Sequence, residues 1–282
     1  MPESAGRRER FSELHESGIF LMPNAWDAGS ARLFESLGFP AVATTSSGFA
    51  ATLGRLDQNV TRDELVAHVE SIAGAVDIPV SVDSEDGYAD DVAGLAETVE
   101  LLAAVGAAGL SIEDYRPGHG ILPLDTATER VSVFVEHANR HGLTVTARAE
   151  NHLYGAGDLD DTLRRLSSYA AAGAHVVYAP GLIQASDLSR VVSGTPRPAN
   201  ALLMPAGPTV AEMGEIGVRR LSTGGALTWV AYGSAARAAR ELLREGTQTY
   251  AAGMLPGDDR ERAWGTPESV LPAGPPEDAP AE

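Results

Sequence analysis

Acidic side chains and one arginine end several apolar runs of this sequence, and their types suit the binding of a cation and an anion. The run PVSVDSEDGY carries Asp83 and Glu85, LSIEDY carries Glu113, and TVTARAEN carries Arg148. Carboxylates that lie close together repel one another unless a cation holds them. Ligand sets made of oxygen favour a hard ion such as Mg²⁺, with Mn²⁺ as the alternative. Arg148 is suited to hold a substrate carboxylate through two parallel hydrogen bonds.

A small polar loop supplies a second candidate site for an anion. Thr45, Ser46 and Ser47 precede a glycine in the segment TTSSG and offer hydroxyl and backbone N–H groups. Each feature also has an ordinary structural explanation, since acidic residues often cap helices and serine-rich loops are common. The prediction of a functional site therefore depends on these features occurring together.

The elements that would bring these residues together alternate along the chain. Eight short apolar runs typical of buried strands cover residues 19–22, 41–45, 79–83, 109–113, 144–148, 175–179, 199–204 and 219–223. Helical patterns between them include residues 61–75, 90–106, 128–141, 158–173 and 209–217. This alternation predicts an α/β fold, a closed (β/α)₈ TIM-type barrel, with an open doubly wound sheet as the alternative. Barrel active sites form at the carboxyl ends of the strands, where the polar residues lie.

The barrel is expected to have short additions at both ends. We expect residues 1–17 to form an N-terminal helix or arm and residues 18–246 to form the catalytic barrel. Residues 247–282 are expected to form a C-terminal extension with a helix and a partly mobile tail, because the last part is rich in proline, glycine and acidic residues. Within the barrel, Thr61 and Glu64 have the spacing of a capping box at a helix start.

The composition excludes several kinds of chemistry. The 282 residues include 39 acidic and 21 basic ones, and the formal net charge of −18 disfavours nucleic acid and anionic membranes as partners. The chain contains no lysine, which excludes Schiff-base chemistry and a P-loop, and no cysteine, which excludes disulfides and thiolate sites. No apolar run is long enough to span a bilayer, and the N-terminus does not resemble a secretory signal. We therefore expect a cytoplasmic protein.

The order of the motifs resembles the isocitrate lyase / phosphoenolpyruvate mutase superfamily. The matching stretches are NAWD, TTSSG followed by LGRLD, PVSVDSEDGY, SIED, TARAE and GVRRLSTGG, and they extend from about residue 18 to about residue 246. The resemblance implies a modified (β/α)₈ barrel in which Mg²⁺ and a small anionic carboxylate substrate meet, so that an enolate is stabilised. It also implies a homo-oligomer, a tetramer or a dimer, in which neighbouring subunits exchange a C-terminal helix.

The resemblance assigns a role to each matched residue. Asp83 would hold the metal directly, whereas Glu85 and Glu113 would act largely through metal-bound water. Arg148 would contact the substrate carboxylate, and Asp57 would lie close to the reacting centre. The remaining substrate-binding positions are Thr45, Ser46, Ser47 and Asn200.

The segment after SIED departs from the family pattern. Carbon–carbon lyases of the family carry a Lys-x-Cys-Gly-His motif there, whereas residues 115–120 of this chain read YRPGHG. A cysteine-dependent isocitrate or methylisocitrate lyase is therefore not expected, and the lysine and asparagine of the phosphonomutase loop are also missing. His119 is the remaining candidate for proton transfer, and a histidine that merely lies on a mobile surface loop is the alternative.

Three functions remain open at this point. The first is a Mg²⁺-dependent lyase or decarboxylase acting on a small 2-oxo- or 2-hydroxy-dicarboxylate through an enolate. The second is a mutase or hydrolase of phosphoenolpyruvate or phosphonopyruvate. The third is a catalytically silent barrel that binds a metabolite. The carboxylates and Arg148 favour the first.

Overall fold

The computed structural model describes residues 2–265, and its central feature is a sheet of parallel strands that surrounds a common axis. Nine strands pair in the order β1-β11-β10-β9-β8-β5-β4-β3-β2, and β6 and β7 form a separate antiparallel hairpin. The strands are β1 (Phe20–Met22), β2 (Asn24–Ala25), β3 (Val42–Thr44), β4 (Val80–Val82), β5 (Gly109–Glu113), β6 (Tyr115–Arg116), β7 (Gly120–Ile121), β8 (Thr144–Arg148), β9 (Val176–Tyr178), β10 (Ala199–Leu202) and β11 (Arg220–Ser222).

The sheet closes because its two edge strands belong to one continuous segment. β1 pairs with β11 and β2 pairs with β3, and Pro23 is the residue between β1 and β2. Proline lacks a backbone N–H, so the change of partner falls where the ladder cannot continue. Residues 20–25 therefore act as one barrel strand that pairs on both sides. The predicted (β/α)₈ barrel is confirmed, and each of the eight predicted runs contains a strand.

Helices follow the strands and cover the outside of the barrel. They are α1 (Pro2–Glu13), α2 (Ala28–Ser36), α3 (Ser46–Thr52), α4 (Arg62–Ala73), α5 (Val92–Ala104), α6 (Leu124–Arg140), α7 (Leu159–Ala171), α8 (Ala185–Ser193), α9 (Val210–Ile216), α10 (Ala226–Glu245) and α11 (Gly257–Trp264). The five predicted helical patterns correspond to α4, α5, α6, α7 and α9. The capping box of Thr61 and Glu64 is present at the start of α4. The main core lies between the strands and these helices, around fully buried side chains such as Leu95, Phe134 and Leu166.

The N-terminal helix closes the lower end of the barrel, where the strands begin. Phe11 is fully buried, and its ring makes edge-to-face contacts with His15 and Phe20 at centroid distances of 4.9 and 6.5 Å. Arg7 and Arg8 attach α1 to the barrel by donating to backbone carbonyl oxygens at helix ends, including Ala73 O at 2.7 Å and Ala103 O at 2.6 Å. The open end of the barrel is therefore the opposite one, where the strands terminate.

The described part of the C-terminal extension packs on the same chain. Trp264 of α11 donates from Nε1 to the carbonyl oxygen of Gly29 in α2 at 3.1 Å. The remainder of the expected tail, residues 266–282, lies outside the described residues. Among residues 2–265, no helix has the length and apolar character required to cross a membrane.

Candidate active site

A cavity of ≈ 230 Å³ opens at the carboxyl ends of the strands. Most of the residues predicted from the sequence line it, although they come from five different strands and loops. These lining residues are Thr45, Ser46, Ser47, Asp57, Asp83, Arg148 and Asn200. Glu85, Glu113 and His119 are not among the lining residues. The fold thus gathers the predicted substrate-binding residues around one cavity. Two predicted metal ligands, Glu85 and Glu113, do not line it.

Arg148 lies among three carboxylates at the end of β8. Its Nη1 is 2.9 Å from Asp83 Oδ1 and 2.8 Å from Glu113 Oε1, and its Nε donates to Glu150 Oε1 at 2.7 Å. The parallel register between β5 and β8 places Glu113 directly opposite Arg148. Burial raises the pKa of Glu113 well above its ordinary value, while the charge of Arg148 opposes that shift. One guanidinium is therefore shared by three carboxyl groups.

Glu85 has an unusual backbone conformation and is held in place by two hydrogen bonds. Its φ of 44° lies in the left-handed region, which is uncommon for residues other than glycine. Its carbonyl oxygen accepts from the N–H of Glu113 at 2.9 Å, and its Oε1 accepts from the hydroxyl of Tyr88 at 2.7 Å. Burial, with a smaller contribution from the charge of Asp83, raises the pKa of Glu85 to about 8. Glu85 therefore retains its proton at neutral pH unless a cation is present.

Several oxygen atoms of the type that a hard divalent cation prefers lie near Arg148. Asp83, Glu85, Glu113 and Glu150 contribute oxygen atoms in a mostly buried region, and the single cation in contact with them is Arg148 among residues 2–265. No three carboxylate or histidine side chains in this part of the chain form a ready-made metal-binding group. Arg148 lies between Asp83 and Glu113 instead. Metal binding by Asp83, Glu85 and Glu113 therefore stays a prediction, and it requires these side chains to adjust.

The TTSSG segment forms the start of α3 and packs tightly against its surroundings. Thr45 Oγ1 accepts from the N–H of Gly48 at 3.4 Å and so caps this short helix. A Cβ at Gly48 would lie 2.5 Å from Thr45 Cγ2 and 2.6 Å from Thr228 Oγ1, so the position requires glycine. The Ser46 N–H, expected to be free for an anion, donates to Asp83 Oδ2 at 3.0 Å. The loop thus orients Asp83 and presents its hydroxyl groups to the cavity.

Asp57 lies at the rim of the cavity. Its Oδ1 accepts from the N–H of Gln58 at 3.0 Å, and Gln58 itself has a positive φ of 62°. Partial desolvation raises the pKa of Asp57, although Ser46 opposes this through a hydrogen bond. A carboxyl group with a raised pKa beside a cavity is suited to exchange a proton with a ligand.

His119 lies away from the cavity, at the exposed turn between β6 and β7. Its Nδ1 is 3.2 Å from the carbonyl oxygen of Pro117. The base of this hairpin is anchored, because Arg116 forms ion pairs with Asp86 at 2.8 Å and Asp90 at 2.6 Å. Proton transfer by His119 therefore stays a prediction that requires the hairpin to close over the cavity.

Tyr178 and Arg220 are among the cavity residues that were not assigned a role from the sequence. Tyr178 ends β9 opposite Arg148, whose guanidinium lies 5.2 Å from the centre of its ring. It ends the apolar run HVVY, so the rule that strand ends carry the site would have found it. Arg220 lies inside the motif GVRRLSTGG, but only the register of β11 shows that it faces inward.

The chain is a mostly parallel barrel with carboxylates and an arginine at its open end, the end at which barrel enzymes carry their active sites. The model of the phosphoenolpyruvate phosphomutase family matches residues 11–243, and the chain belongs to this family, within the phosphoenolpyruvate mutase / isocitrate lyase superfamily. The chain is accordingly an enzyme of a superfamily whose relatives include carbon–carbon lyases.

Three comparisons illustrate this relationship. An uncharacterised protein of Mycobacterium tuberculosis is 35% identical over 235 residues, covering 82% of this chain and 88% of that protein. An oxaloacetate decarboxylase of Bradyrhizobium diazoefficiens is 31% identical, covering 68% and 69%. The crystal structure of a Burkholderia cenocepacia protein described as a candidate lyase or mutase has a TM-score of 0.90 and 40% identity, covering 95% and 98%.

Proposed function

We propose that this protein is a Mg²⁺-dependent lyase or decarboxylase that converts a small 2-oxo- or 2-hydroxy-dicarboxylate through an enolate. The observation that supports this proposal is the surplus of carboxylates around Arg148, which contacts Asp83, Glu113 and Glu150. A divalent cation held by Asp83, with Glu85 and Glu113 nearby, would balance that surplus. When bound, the cation supplies a positive centre that stabilises negative charge developing on a substrate oxygen.

Arg148 is the residue that we assign to the substrate carboxylate. Its Nε and Nη1 are occupied by carboxylates, while Nη2 makes no hydrogen bond to any of residues 2–265. Because Arg148 lines the cavity, its Nη2 is the donor left for a ligand. Ser46 and Ser47 line the same cavity, and we assign their hydroxyl groups as further hydrogen-bond partners of the substrate.

Asp57 is the group to which we assign proton transfer. It lines the cavity, and desolvation raises its pKa towards the range in which a carboxyl group can both accept and donate a proton. His119 is the second candidate and contributes only in a closed state of the β6–β7 hairpin. The pH dependence of activity in a His119→Ala variant separates the two assignments. Proton transfer by Asp57 predicts a pH profile that is unchanged from the wild type.

We infer that the protein works as a homo-oligomer whose contacts involve α10. Apolar side chains of α10 are exposed on the single chain, with Trp229 53%, Val230 62% and Leu243 86% accessible. Exposed apolar surface of this kind commonly marks a protein interface. The helix begins beside the active site, because a Cβ at Gly225 would lie 2.6 Å from Ser47 Oγ and 2.9 Å from Trp229 Nε1.

A substrate screen tests the proposed reaction. Purified protein is incubated with oxaloacetate, malate and alkylated malates, with Mg²⁺ or with excess EDTA, and products are followed by proton NMR. The proposal predicts turnover of at least one of these acids that EDTA abolishes and added Mg²⁺ restores. Metal-independent turnover, or none across the series, counts against it.

The description of the matching family favours one alternative, a phosphonomutase or a related hydrolase. Phosphorus NMR of the protein with phosphoenolpyruvate or phosphonopyruvate distinguishes this alternative, because any rearrangement or hydrolysis moves the phosphorus resonance. An unchanged spectrum rejects it. A barrel that binds oxalate in the presence of Mg²⁺ and turns over neither series is a silent metabolite-binding protein.

A further inference from the structure

A second arginine lies deep in the cavity, below the ring of carboxylates. Arg220 is only 3% exposed, projects inward from β11 and lines the cavity together with Asn200 and Ser222. Its Nε donates to Asn200 Oδ1 at 2.9 Å, and its Nη2 donates to Thr146 Oγ1 at 2.8 Å. The guanidinium is therefore held in a fixed orientation at the floor of the cavity.

The partners of Arg220 carry no negative charge. The remaining contact joins Nη1 to His15 Nε2 at 3.3 Å. His15 Nδ1 lies 2.7 Å from the carbonyl oxygen of Phe11, which can only accept, so Nδ1 carries the proton and Nε2 accepts from Arg220. Burial, together with the charge of Arg220, lowers the pKa of His15 to about 3, so the ring is neutral at pH 7.

The charge of Arg220 is consequently uncompensated. No carboxylate among residues 2–265 forms an ion pair with it. Burial lowers the pKa of this guanidinium to about 9, which still leaves it protonated at neutral pH. A buried charge without a counter-ion destabilises a protein by several kcal/mol. An anionic ligand beside Arg220 would offset this cost.

The cavity also provides a path to Arg220. Barrel interiors are normally filled by bulky Val, Ile and Leu side chains. Here the inward positions between the mouth and the floor carry small side chains, among them Ala43, Ser81, Ser111 and Thr146. Their small size leaves room for a ligand to extend downward from the carboxyl ends of the strands.

The two arginines are spaced for a ligand with two anionic ends. Thr146, which contacts Arg220, and Arg148 are two residues apart on the same face of β8, a distance of roughly 7 Å along the strand. Arg148 is surrounded by carboxylates, whereas Arg220 contacts neutral groups. The cavity is thus acidic at its mouth and basic at its floor.

We propose that Arg220, oriented by Asn200 and Thr146, forms a second anion subsite at the cavity floor that binds the distal carboxylate of a dicarboxylate substrate. The subsite deepens the proposed function by assigning a residue to the second carboxylate of the dicarboxylate, and it rests on that function for the identity of the other end. The 2-oxo or 2-hydroxy end lies at the mouth, near Asp83. A monocarboxylate of similar length leaves Arg220 unpaired and binds more weakly.

Calorimetric titration without added metal tests the subsite independently of catalysis. The probes are succinate, its monoamide and butyrate, which differ in the charge at the distal end. For the wild-type protein we expect succinate to bind about 10- to 100-fold more tightly than the monoamide, as a charge-assisted contact would require. In an Arg220→Met variant this preference is lost. The matched control is Arg219→Met, because Arg219 directly precedes Arg220, does not line the cavity and donates to Gly18 O.

The outcomes separate the subsite from the metal site. Oxalate is too short to reach the floor, so its binding with Mg²⁺ should be the same in wild type and Arg220→Met. If the wild-type protein fails to bind oxalate with Mg²⁺ but still prefers succinate to its monoamide, the metal-dependent function is contradicted and the subsite is not. Equal binding of succinate and its monoamide by the wild-type protein overturns the subsite, even if Arg220→Met fails to fold.

Discussion

Nη1 of Arg148 lies 2.9 Å from Oδ1 of Asp83, so the residue assigned to the substrate contacts the residue assigned to the metal. The same Nη1 lies 2.8 Å from Glu113. Arg148 thus partly neutralises the carboxylates of the site, and a cation that binds Asp83 must share or take over this role. Under the proposed function, metal binding and the freeing of Arg148 for a substrate carboxylate would therefore be coupled.

The first prediction concerns Asp83. Replacing it by Asn removes one charge from the proposed metal site and should lower kcat by about 10³-fold, with Mg²⁺ affinity lowered in parallel. The measurements are steady-state kinetics on the acid identified by the substrate screen and calorimetric titration with Mg²⁺. Asp160→Asn is the control, because Asp160 pairs with Arg190 on the surface. Unchanged Mg²⁺ affinity in the Asp83 variant contradicts the assignment.

The second prediction concerns the geometry of Arg148. An Arg148→Lys substitution keeps the charge, but a single ammonium group cannot contact Asp83, Glu113 and Glu150 while also presenting a free donor, as Nη2 does, to the substrate. We expect kcat/KM to fall by about 10²-fold, mainly through KM. A kinetic comparison of wild type and variant measures it. A variant with wild-type KM shows that Arg148 is structural.

The third prediction is a dependence of stability on pH that arises from Glu85. Its pKa is raised from the ordinary value of 4.5 to about 8 in the folded protein. Between these values the folded state keeps a proton that the unfolded state has released. The contribution of Glu85 to the stability of the protein is therefore largest below pH 4.5 and is lost as the pH rises through 8. In EDTA, Tm should fall by about 5 °C between pH 5.5 and 8.5. Calorimetric melting curves measure this change.

The same experiment contains its own controls. Glu85→Gln should flatten the decline, since the amide has no proton to lose, and Mg²⁺ should also flatten it by binding the ionised carboxylate. A Glu85→Gln variant that retains the full slope would show that another group is responsible.

The fourth prediction concerns Asp114, which is buried and holds the loops after β5 and β8 in place. Its Oδ1 accepts from the N–H of Glu150 at 2.8 Å, and its Oδ2 accepts from Tyr169 at 2.6 Å and Arg165 at 3.0 Å. Asp114→Asn removes one of the two carboxylates that pair with Arg165, leaving Asp161 at 2.8 Å, and should destabilise the protein by about 1–3 kcal/mol. Urea denaturation measures the change. A loss of activity without a loss of stability would instead assign Asp114 to catalysis.

The fifth prediction concerns assembly. Leu243 is 86% exposed in α10, and Leu243→Glu places a charge in the proposed subunit interface. We expect the oligomer to dissociate by at least one step, as seen by analytical ultracentrifugation at micromolar concentration. Arg244→Glu, the adjacent position, is the control. Sedimentation of both variants as wild type excludes this part of α10 from the interface.

Most of the fold was predictable because its signals are local. The apolar runs and glycine-ended helices identify strands and helices within a few residues, and eight repeats predict the barrel. The short helix α3, near the site, was not predicted. Asp27 of NAWD caps α2 with Ser30, and the TTSSG segment reads as a loop although it begins α3. Short helices of small residues carry little periodic signal.

The sequence predicted most residues of the site, but it did not predict which of them contact one another. Residues at strand ends must lie near the barrel mouth, which is why Asp83 and Arg148 were expected together. Whether Arg148 contacts carboxylates or faces the ligand depends on side-chain directions that spacing does not determine. His119 follows the site in sequence, yet the hairpin turn carries it into solvent. Arg220 needed the barrel register to be recognised.

The aromatic rings of Phe11, His15 and Phe20 close the barrel beneath Arg220, and for a substrate held by the proposed subsite this closure sets the order of product release. A fragment that carries the distal carboxylate has to depart upward, past the mouth. When a carbon–carbon bond is cleaved, the upper fragment must dissociate before the lower one. Product inhibition should accordingly be competitive for the fragment at the floor and noncompetitive for the fragment at the mouth.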